Sequence, residues 1–205
     1  MEFRLTYDGQ LMARGGGADH KHEVRKVFHK QLKRLWEIHP FLQGWTRSNS
    51  APDTTVGNVY YASEKSYLQH LGDKFKEGKY RFAPIATAER GAIVSLDILF
   101  LRSGQPGSIM KSADLDGRLK TLIDALRMPN HTQELGRHIE PDVDEDPFYC
   151  LMQDDNLVGN VSVTSDALLQ PTANSTGYHD THDARVVIAV SLRTYASNNM
   201  GAVWS

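Results

Sequence analysis

Two carboxylates and a lysine stand close together in the segment DLDGRLKTLIDAL, which runs from Asp114 to Leu126. Asp114 and Asp116 are two residues apart, and Lys120 follows Asp116 by four residues, which in a helix places both on one face. Carboxylate oxygens are the ligands that Mg²⁺ and Mn²⁺ prefer. A metal ion held here could activate water and neutralise the charge of a phosphodiester under attack. The spacing therefore predicts metal-dependent phosphodiester chemistry.

Each of these groups also has an ordinary structural interpretation. Acidic residues at a helix start can act as caps, which the helix dipole stabilises by about 1 kcal/mol at most. Lys120 could form a surface ion pair with Asp116 or Asp124, worth about 0 to 1 kcal/mol. A second acidic pair, Asp154 and Asp155 in QDDNLV, could simply form a turn. Only the joint occurrence of these groups favours a metal site.

The elements that must position these residues follow from the pattern of apolar side chains. Strands are predicted at residues 2–7, 92–101, 148–152, 158–163 and 184–192. The strand at 92–101 is apolar on both faces, so it is expected at the centre of the sheet, and its only charge, Asp97, is a further candidate for the site. An amphipathic helix is predicted from about residue 23 to residue 38, and Pro40 ends it. A second helix begins near Ser112, its expected N-cap, and stops before Pro129.

This order of elements predicts an α/β (mixed α+β) fold in which a small mixed sheet packs against two main helices. The length of 205 residues fits a single domain, 1–205. Three polar stretches are expected to be loop insertions, at about residues 40–82, 130–147 and 164–183. Within the first of them, the segment SEKSYLQHLGDKF at residues 63–75 could form a short helix.

The charges are distributed unevenly along the chain. The net charge is −2, but residues 134–155 contain eight acids and one base, so the remainder carries +5. Such asymmetry is compatible with a basic surface beside an acidic metal centre, and equally with two solvated charge clusters. If the surface exists, the residues expected to contact nucleic acid are Arg14, Lys21, Arg25, Lys26, Lys30 and Arg118.

Other groups give weaker predictions. Among the histidines, His20, His22 and His29 could contact phosphate or belong to a loop and a helix surface, and HDTHD at residues 179–183 is more typical of a solvated loop than of a metal site. The aromatic residues that could stack on unpaired bases, or pack in the core, are Trp36, Trp45, Tyr60 and Tyr61.

The single cysteine, Cys150, lies in the apolar run FYCLM, which predicts a buried thiol and excludes an internal disulfide and a C-x-x-C zinc motif. No apolar run approaches the length that spans a bilayer. The simplest expected location is the cytoplasm of a cell without organelles.

The two acidic motifs together resemble those of the RusA-type Holliday junction resolvases, the crossover-junction endodeoxyribonucleases. That family has a helix start D-L-D-N-x-x-K-x-x-x-D-A-L followed by a strand turn D-D-x-x-V, and this chain has D-L-D-G-R-L-K-T-L-I-D-A-L from Asp114 and D-D-N-L-V from Asp154. The resemblance covers residues 92–163 best. One departure is Gly117, which replaces the usual asparagine and removes a side chain that could orient a ligand.

The resemblance implies that Asp114, Asp116 and Asp155 hold Mg²⁺, or Mn²⁺, and that Lys120 is catalytic. It implies cleavage of branched DNA, and two symmetric cuts require two active sites, hence a homodimer. Two alternatives remain open at this point. The chain could be a nuclease of the same fold redirected to another DNA or RNA structure, or a non-catalytic nucleic-acid-binding protein.

Overall fold

The computed structural model describes residues 1–13, 16–47, 50–53, 59–62, 64–103, 113–173 and 182–195. The strands in these ranges are β1 (Glu2–Gln10), β2 (Ser50–Asp53), β3 (Val59–Ala62), β4 (Lys76–Glu77), β5 (Tyr80–Ala86), β6 (Ala92–Arg102), β7 (Phe148–Met152), β8 (Val158–Ala167) and β9 (Asp183–Thr194). The helices are α1 (Gly17–Ile38), α2 (Pro40–Arg47), α3 (Tyr67–Lys74) and α4 (Ala113–Leu126).

The main sheet has four strands in the order β1-β9-β6-β8. Its long central strand β6 runs antiparallel to β9 and parallel to β8. A parallel pair needs a crossover connection, and the chain between β6 and β8 includes α4. The predicted central position of this strand is therefore confirmed, and it places the start of α4 after the carboxyl end of β6.

Among the described residues, the core covers one face of the main sheet. Alternate side chains of β6, from Val94 to Phe100, are buried with those of α1 and α4, whereas Asp97 and Leu99 are exposed on the other face. The expectation that Asp97 points toward the candidate site is therefore corrected, because Asp97 faces away from the side on which α4 packs.

A second sheet, β4-β5-β7, is joined to the main sheet through two turns. β5 and β7 are parallel, β5 leads into β6, and β7 leads into β8. The two turns are bonded to each other, since the N–H of Gln153 donates to the carbonyl of Ala86 (2.9 Å) and the N–H of Ala88 donates to the side chain of Gln153 (3.2 Å). The parallel pair β5 and β7 thus continues into the parallel pair β6 and β8. The two hydrogen-bonded turns between them are called the bonded corner.

The mixed α/β fold class predicted from the sequence is confirmed, with two mixed sheets and four helices. All five predicted strands are present, and each of four of them extends beyond its predicted bounds. The short helix expected within residues 63–75 is present as α3, whereas α2 and β5 were not predicted from the sequence. The range 40–82 is not only a polar loop, because its apolar residues Leu42, Leu68, Leu71 and Phe75 are buried in the same core as the main sheet.

Helix α1 begins earlier than predicted, at Gly17, and ends at Ile38 as predicted. Its apolar residues Val24, Phe28 and Leu32 are buried, but its polar face is not simply exposed. The buried residues of α1 also include His22, Arg25 and His29.

The acidic segment, defined here as residues 134–146, packs along this side of α1. The Lys26 ammonium lies 3.0 Å from both Asp142 and Glu145, which holds its pKa above the usual range. Arg81 of β5 binds Asp146 through two bonds of 2.7 Å. Part of the basic N-terminal region is therefore paired with the acidic segment, through Arg25 and Lys26, and these two bases do not belong to an open basic surface.

Arg25 joins α1 to the end of α4. Its guanidinium donates to the carbonyl of Asp124 (3.0 Å) and to that of Arg127 (3.3 Å). Carbonyls at the end of a helix lack partners within the helix, so this side chain satisfies them. Burial lowers the pKa of Arg25 to about 10, which leaves it protonated at neutral pH. Arg25 is 1% exposed, so it belongs to the core rather than to a nucleic-acid surface.

The histidines of α1 accept hydrogen bonds rather than presenting cations to solvent. His20 Nε2 accepts from the N–H of Met12 (3.1 Å), and His29 Nδ1 accepts from the N–H of Tyr149 (2.9 Å). The Nδ1 of His22 lies 3.2 Å from the Arg25 guanidinium, and burial lowers the pKa of His22 to about 3. Burial also lowers the pKa of His20 and of His29. These rings are therefore neutral parts of the fold, and the predicted phosphate contacts are not supported.

Arg25→Met should lower the free energy of unfolding by about 3 kcal/mol, because it leaves the carbonyls at the end of α4 without donors in the core. Lys30→Met also replaces a basic side chain of α1 by methionine, but at an exposed position. It should therefore alter the free energy of unfolding by no more than about 0.5 kcal/mol. Urea denaturation measures both. Equal stabilities of the two variants would contradict the role given to Arg25.

The free energy of unfolding should fall as the pH is lowered from 7 to 5. The fold favours neutral His20, His22 and His29, so below an ordinary pKa of about 6.5 the unfolded chain binds more protons. Each histidine then costs up to about 1.4 kcal/mol per pH unit. Urea denaturation at several pH values should show a smaller slope for His29→Gln and an unchanged slope for the exposed His131→Gln. A stability that is independent of pH over this range would contradict the assignment.

Candidate functional site

Two of the predicted catalytic side chains lie on the solvent face of α4. Asp116 and Lys120 are exposed, whereas Leu115 and Leu122 of the same helix are buried in the core. Their four-residue spacing places them on one side of the helix. Within the described part of the chain neither forms an ion pair, so the alternative of a surface salt bridge between them is not observed. Asp114 lies in the first turn of α4, but its side chain and Ser112 are outside the described residues.

The third acid of this helix has a structural role. Asp124 is 3% exposed and binds the Lys21 ammonium at 2.6 Å and the Arg127 guanidinium at 3.5 Å. Lys21, which was expected to contact nucleic acid, instead contributes to the attachment of α1 to α4. Asp124 is accordingly unavailable as a metal ligand, in agreement with the limited role that the motif suggested for it.

The second acidic pair forms the turn between β7 and β8. The Asp154 carboxylate accepts a hydrogen bond from the N–H of Asn156 at 2.9 Å, so it shapes the turn. The Asp155 side chain is exposed and is the one of the two that remains accessible to a ligand. The turn is not a hairpin, because β7 pairs with β5 and β8 pairs with β6.

The predicted metal ligands have the right chemistry, but their convergence stays a prediction. No group of three or more histidine, cysteine, aspartate or glutamate side chains is arranged to hold a metal among the residues that the structure describes. The Asp114 side chain is outside that part, so the set Asp114, Asp116 and Asp155 has two described members. Both are exposed carboxylates, which are ligands of the kind that Mg²⁺ binds. Much of HDTHD, including His179, also lies outside the described residues.

Gly117 has a physical reason to be glycine. A Cβ at this position would lie 2.7 Å from the Cβ of Ala13, closer than such atoms approach. The contact is reinforced by Thr121, whose hydroxyl donates to the carbonyl of Met12 at 3.1 Å. The residue that replaces the asparagine of the motif therefore lets the segment after β1 lie against α4, beside the candidate site. Sequence reasoning missed this contact because it joins positions more than 100 residues apart.

Of the six residues predicted to contact nucleic acid, the structure leaves few on the surface. Lys30 is exposed, Lys21 and Lys26 are held by acids, and Arg14 lies outside the described residues. Arg25 and Arg118 are buried, with Arg118 only 2% exposed, and the expectation that they form an exposed phosphate-binding surface is corrected. The predicted site thus retains its acids and lysine on α4 but loses most of its basic surface.

The aromatic candidates serve the core in the described region. Trp36 is 2% exposed, and Trp45 packs on the guanidinium of Arg90 with 3.7 Å between the guanidinium carbon and the ring centroid. The side chains of Tyr60 and Tyr61 lie outside the described residues. Cys150 is buried as predicted, and burial raises the pKa of its thiol.

A cavity that the sequence did not predict borders α4 at Thr121. It has a volume of about 360 Å³ and lies between the start of α1 and the middle of α4. The residues lining it include Ala13, Gly17, His20, Lys21, Thr121 and Glu134. Its sequence signal is glycine at the start of α1, since Gly17 has φ +58°, a conformation that glycine adopts readily.

Comparison of the chain with family models, with characterised proteins and with solved structures found no match. None of the described helices combines the length and apolar character needed to cross a bilayer. The resemblance to RusA-type resolvases therefore rests on the two acidic motifs, and their geometry carries the functional argument.

Gly117→Asn, which restores the asparagine of the motif, should destabilise the protein by about 1 to 3 kcal/mol, because the new side chain meets Ala13 in a filled space. A gain of a few tenths of a kcal/mol in helix propensity does not offset this clash. Gly44→Asn is the matched control, since a Cβ at Gly44 in α2 has no atom within 4 Å. Thermal unfolding compares the two, and a Gly117→Asn variant as stable as Gly44→Asn would contradict the close contact.

Proposed function

We propose that the protein is a metal-dependent endonuclease that cleaves phosphodiester bonds in branched DNA, as RusA-type resolvases do. One observation carries the proposal: Asp116 and Lys120 are exposed together on the solvent face of α4, the helix that follows the central strand β6. They belong to a motif that matches the family's helix start in its acids, its lysine and its trailing D-A-L.

The residues present suit Mg²⁺, with Mn²⁺ as an alternative. Asp114, Asp116 and Asp155 would hold the ion, which when bound lowers the pKa of a water molecule and neutralises charge on the phosphate. Lys120 would stabilise the charge that develops on the phosphate oxygens or protonate the leaving oxygen. Because Asp116 and Lys120 point into solvent, a long and rigid substrate such as duplex DNA can approach them without a change in the core.

The substrate class is supported less strongly than the chemistry. Lys30 is the exposed member of the predicted basic set, and Lys21 is partly exposed beside Asp124. A homodimer would present each of these residues twice. Such an enzyme acts where DNA is accessible, which is the cytoplasm in a cell without organelles.

Two alternative functions make different predictions. A nuclease of the same fold redirected to another DNA or RNA structure keeps the site and changes the preferred substrate. A non-catalytic binding protein would use the basic side of α1, but the acidic segment already pairs with Lys26 on that side. The described contacts therefore favour a nuclease over a binding protein that uses this helix.

Cleavage of a labelled synthetic four-way junction with Mg²⁺ tests the proposal. Asp116→Asn and Lys120→Ala should each lower the cleavage rate by about 100-fold or more, because each removes charge stabilisation at the reacting phosphate. Asp97→Asn is the matched control, since Asp97 is an exposed aspartate on the opposite face of the sheet. Circular dichroism checks that all three variants are folded.

The outcomes separate the possibilities. Loss of cleavage in Asp116→Asn and Lys120→Ala, with Asp97→Asn like the wild type, supports the site. Equal cleavage by all proteins would refute it. A panel of flap, duplex and single-stranded substrates identifies a redirected nuclease, and salt-sensitive binding without metal-dependent turnover identifies a binding protein.

A further inference from the structure

Strand β8 forms one edge of the main sheet, and its free side is exposed. Six of its ten residues are exposed, and no charged residue occurs between Val158 and Ser165. The main-chain N–H of Val158 donates to the carbonyl of Asp155 in the preceding turn. For the described residues from Gly159 to Ser165, the recorded main-chain hydrogen bonds are those of the pairing with β6. A long strand edge of this kind is a template for pairing with another strand, and proteins usually protect it with charges, proline or a covering element.

The opposite edge of the same sheet is protected. The side-chain amide of Gln31 in α1 accepts from the N–H of Thr6 (2.9 Å) and donates to its carbonyl (2.7 Å), as a neighbouring strand would. This edge strand, β1, also carries Arg4 and Asp8. Within the described part of the chain, one edge of the sheet is thus covered by a side chain of α1, whereas β8 has no such cover.

The open edge also exposes apolar side chains from the core side of the sheet. Val161 pairs with the buried Leu96, and Val163 pairs with the buried Ile98, so both valines lie on the core side of β8. Val161 is nevertheless 41% exposed, and Val163 is partly buried against the core. The apolar core thus extends to the β8 edge of the sheet, where part of its surface is exposed.

We propose that β8 pairs in an antiparallel arrangement with β8 of a second copy, around a two-fold axis at Ser162, so that two main sheets form one sheet of eight strands. Val161 then lies beside the partner's Val163, and the exposed apolar surface of each copy is covered by the other. Asp166 lies opposite the partner's Val158, so the two Asp166 carboxylates are at opposite ends of the interface.

The edge favours a second copy over an unrelated partner because it is self-complementary. Because residues 158–165 carry no charge, this edge has no electrostatic preference for a charged strand of another protein. If one strand shifted by one residue, Val161 or Val163 would lie opposite the partner's Ser162, and the apolar surface would no longer be continuous between the two copies. The hydrophobic pattern therefore also defines the register.

This inference gives a geometry to the dimer that the proposed function requires. Its evidence is the strand edge alone, and its test measures mass rather than cleavage. A dimer without nuclease activity would overturn only the proposed function, whereas a dimeric nuclease that stays dimeric as Ser162→Lys would overturn only the present inference.

Sedimentation equilibrium of the full chain tests the pairing. The wild type should have twice the mass of one chain, and Ser162→Lys should have the mass of one chain, because two ammonium groups would meet at the axis. Thr6→Lys is the matched control on the protected edge and should remain dimeric. A monomeric wild type, or a dimeric Ser162→Lys variant, would overturn the proposal, provided that circular dichroism shows both variants folded.

Cysteine cross-linking tests the register independently. In the proposed pairing the two Ser162 Cα atoms lie about 5 Å apart, within reach of a disulfide. Ser162→Cys should therefore form a covalent dimer on mild oxidation, whereas Asp166→Cys should not, because its two copies are eight residues out of register. The native Cys150 is buried and does not compete. Cross-linking through Asp166→Cys instead of Ser162→Cys would overturn this register.

Discussion

The buried guanidinium of Arg25 is the contact on which the arrangement of the helices depends. It is held by α1 and donates to two carbonyls at the end of α4, so it fixes one helix relative to the other at the point where α4 ends. Lys21 and Asp124 make a second link one turn away. Because α4 carries Asp116 and Lys120, the orientation of the candidate site depends on a charge that never reaches solvent.

The acidic segment explains how a chain with a strongly basic N-terminal part can be nearly neutral outside. Its carboxylates lie along α1, where the charge distribution of the sequence predicts contacts with nucleic acid. Arg25 and Lys26 pair with these carboxylates instead. The surface left for a polyanion is smaller than the sequence indicates. This makes the metal chemistry a better supported part of the proposed function than the manner in which DNA is held.

The strands, and the helices α1 and α4, were predictable because their apolar periodicity is strong and local. The elements α2 and β5 were not predictable, because the buried residues near α2 are spaced among turn-forming residues and Pro84 interrupts the strand pattern of β5. The exposed pair Asp116 and Lys120 was predictable from helical spacing. The burial of Arg25, the role of Gly117 and the pairing of the acidic segment were not, because each depends on a contact between distant parts of the chain.

The bonded corner between the two sheets has a mechanical consequence for the site. Asp155 follows Gln153, whose main chain is tied to Ala86, whereas Asp116 is positioned by α4 and hence by α1. The two parts also meet, because the N–H of Met128, just after α4, donates to the carbonyl of Met152 at the end of β7 (3.0 Å). A substitution in the turn at residues 86–91 would therefore act first on the position of Asp155, and it would reach Asp116 and Lys120 only through α4.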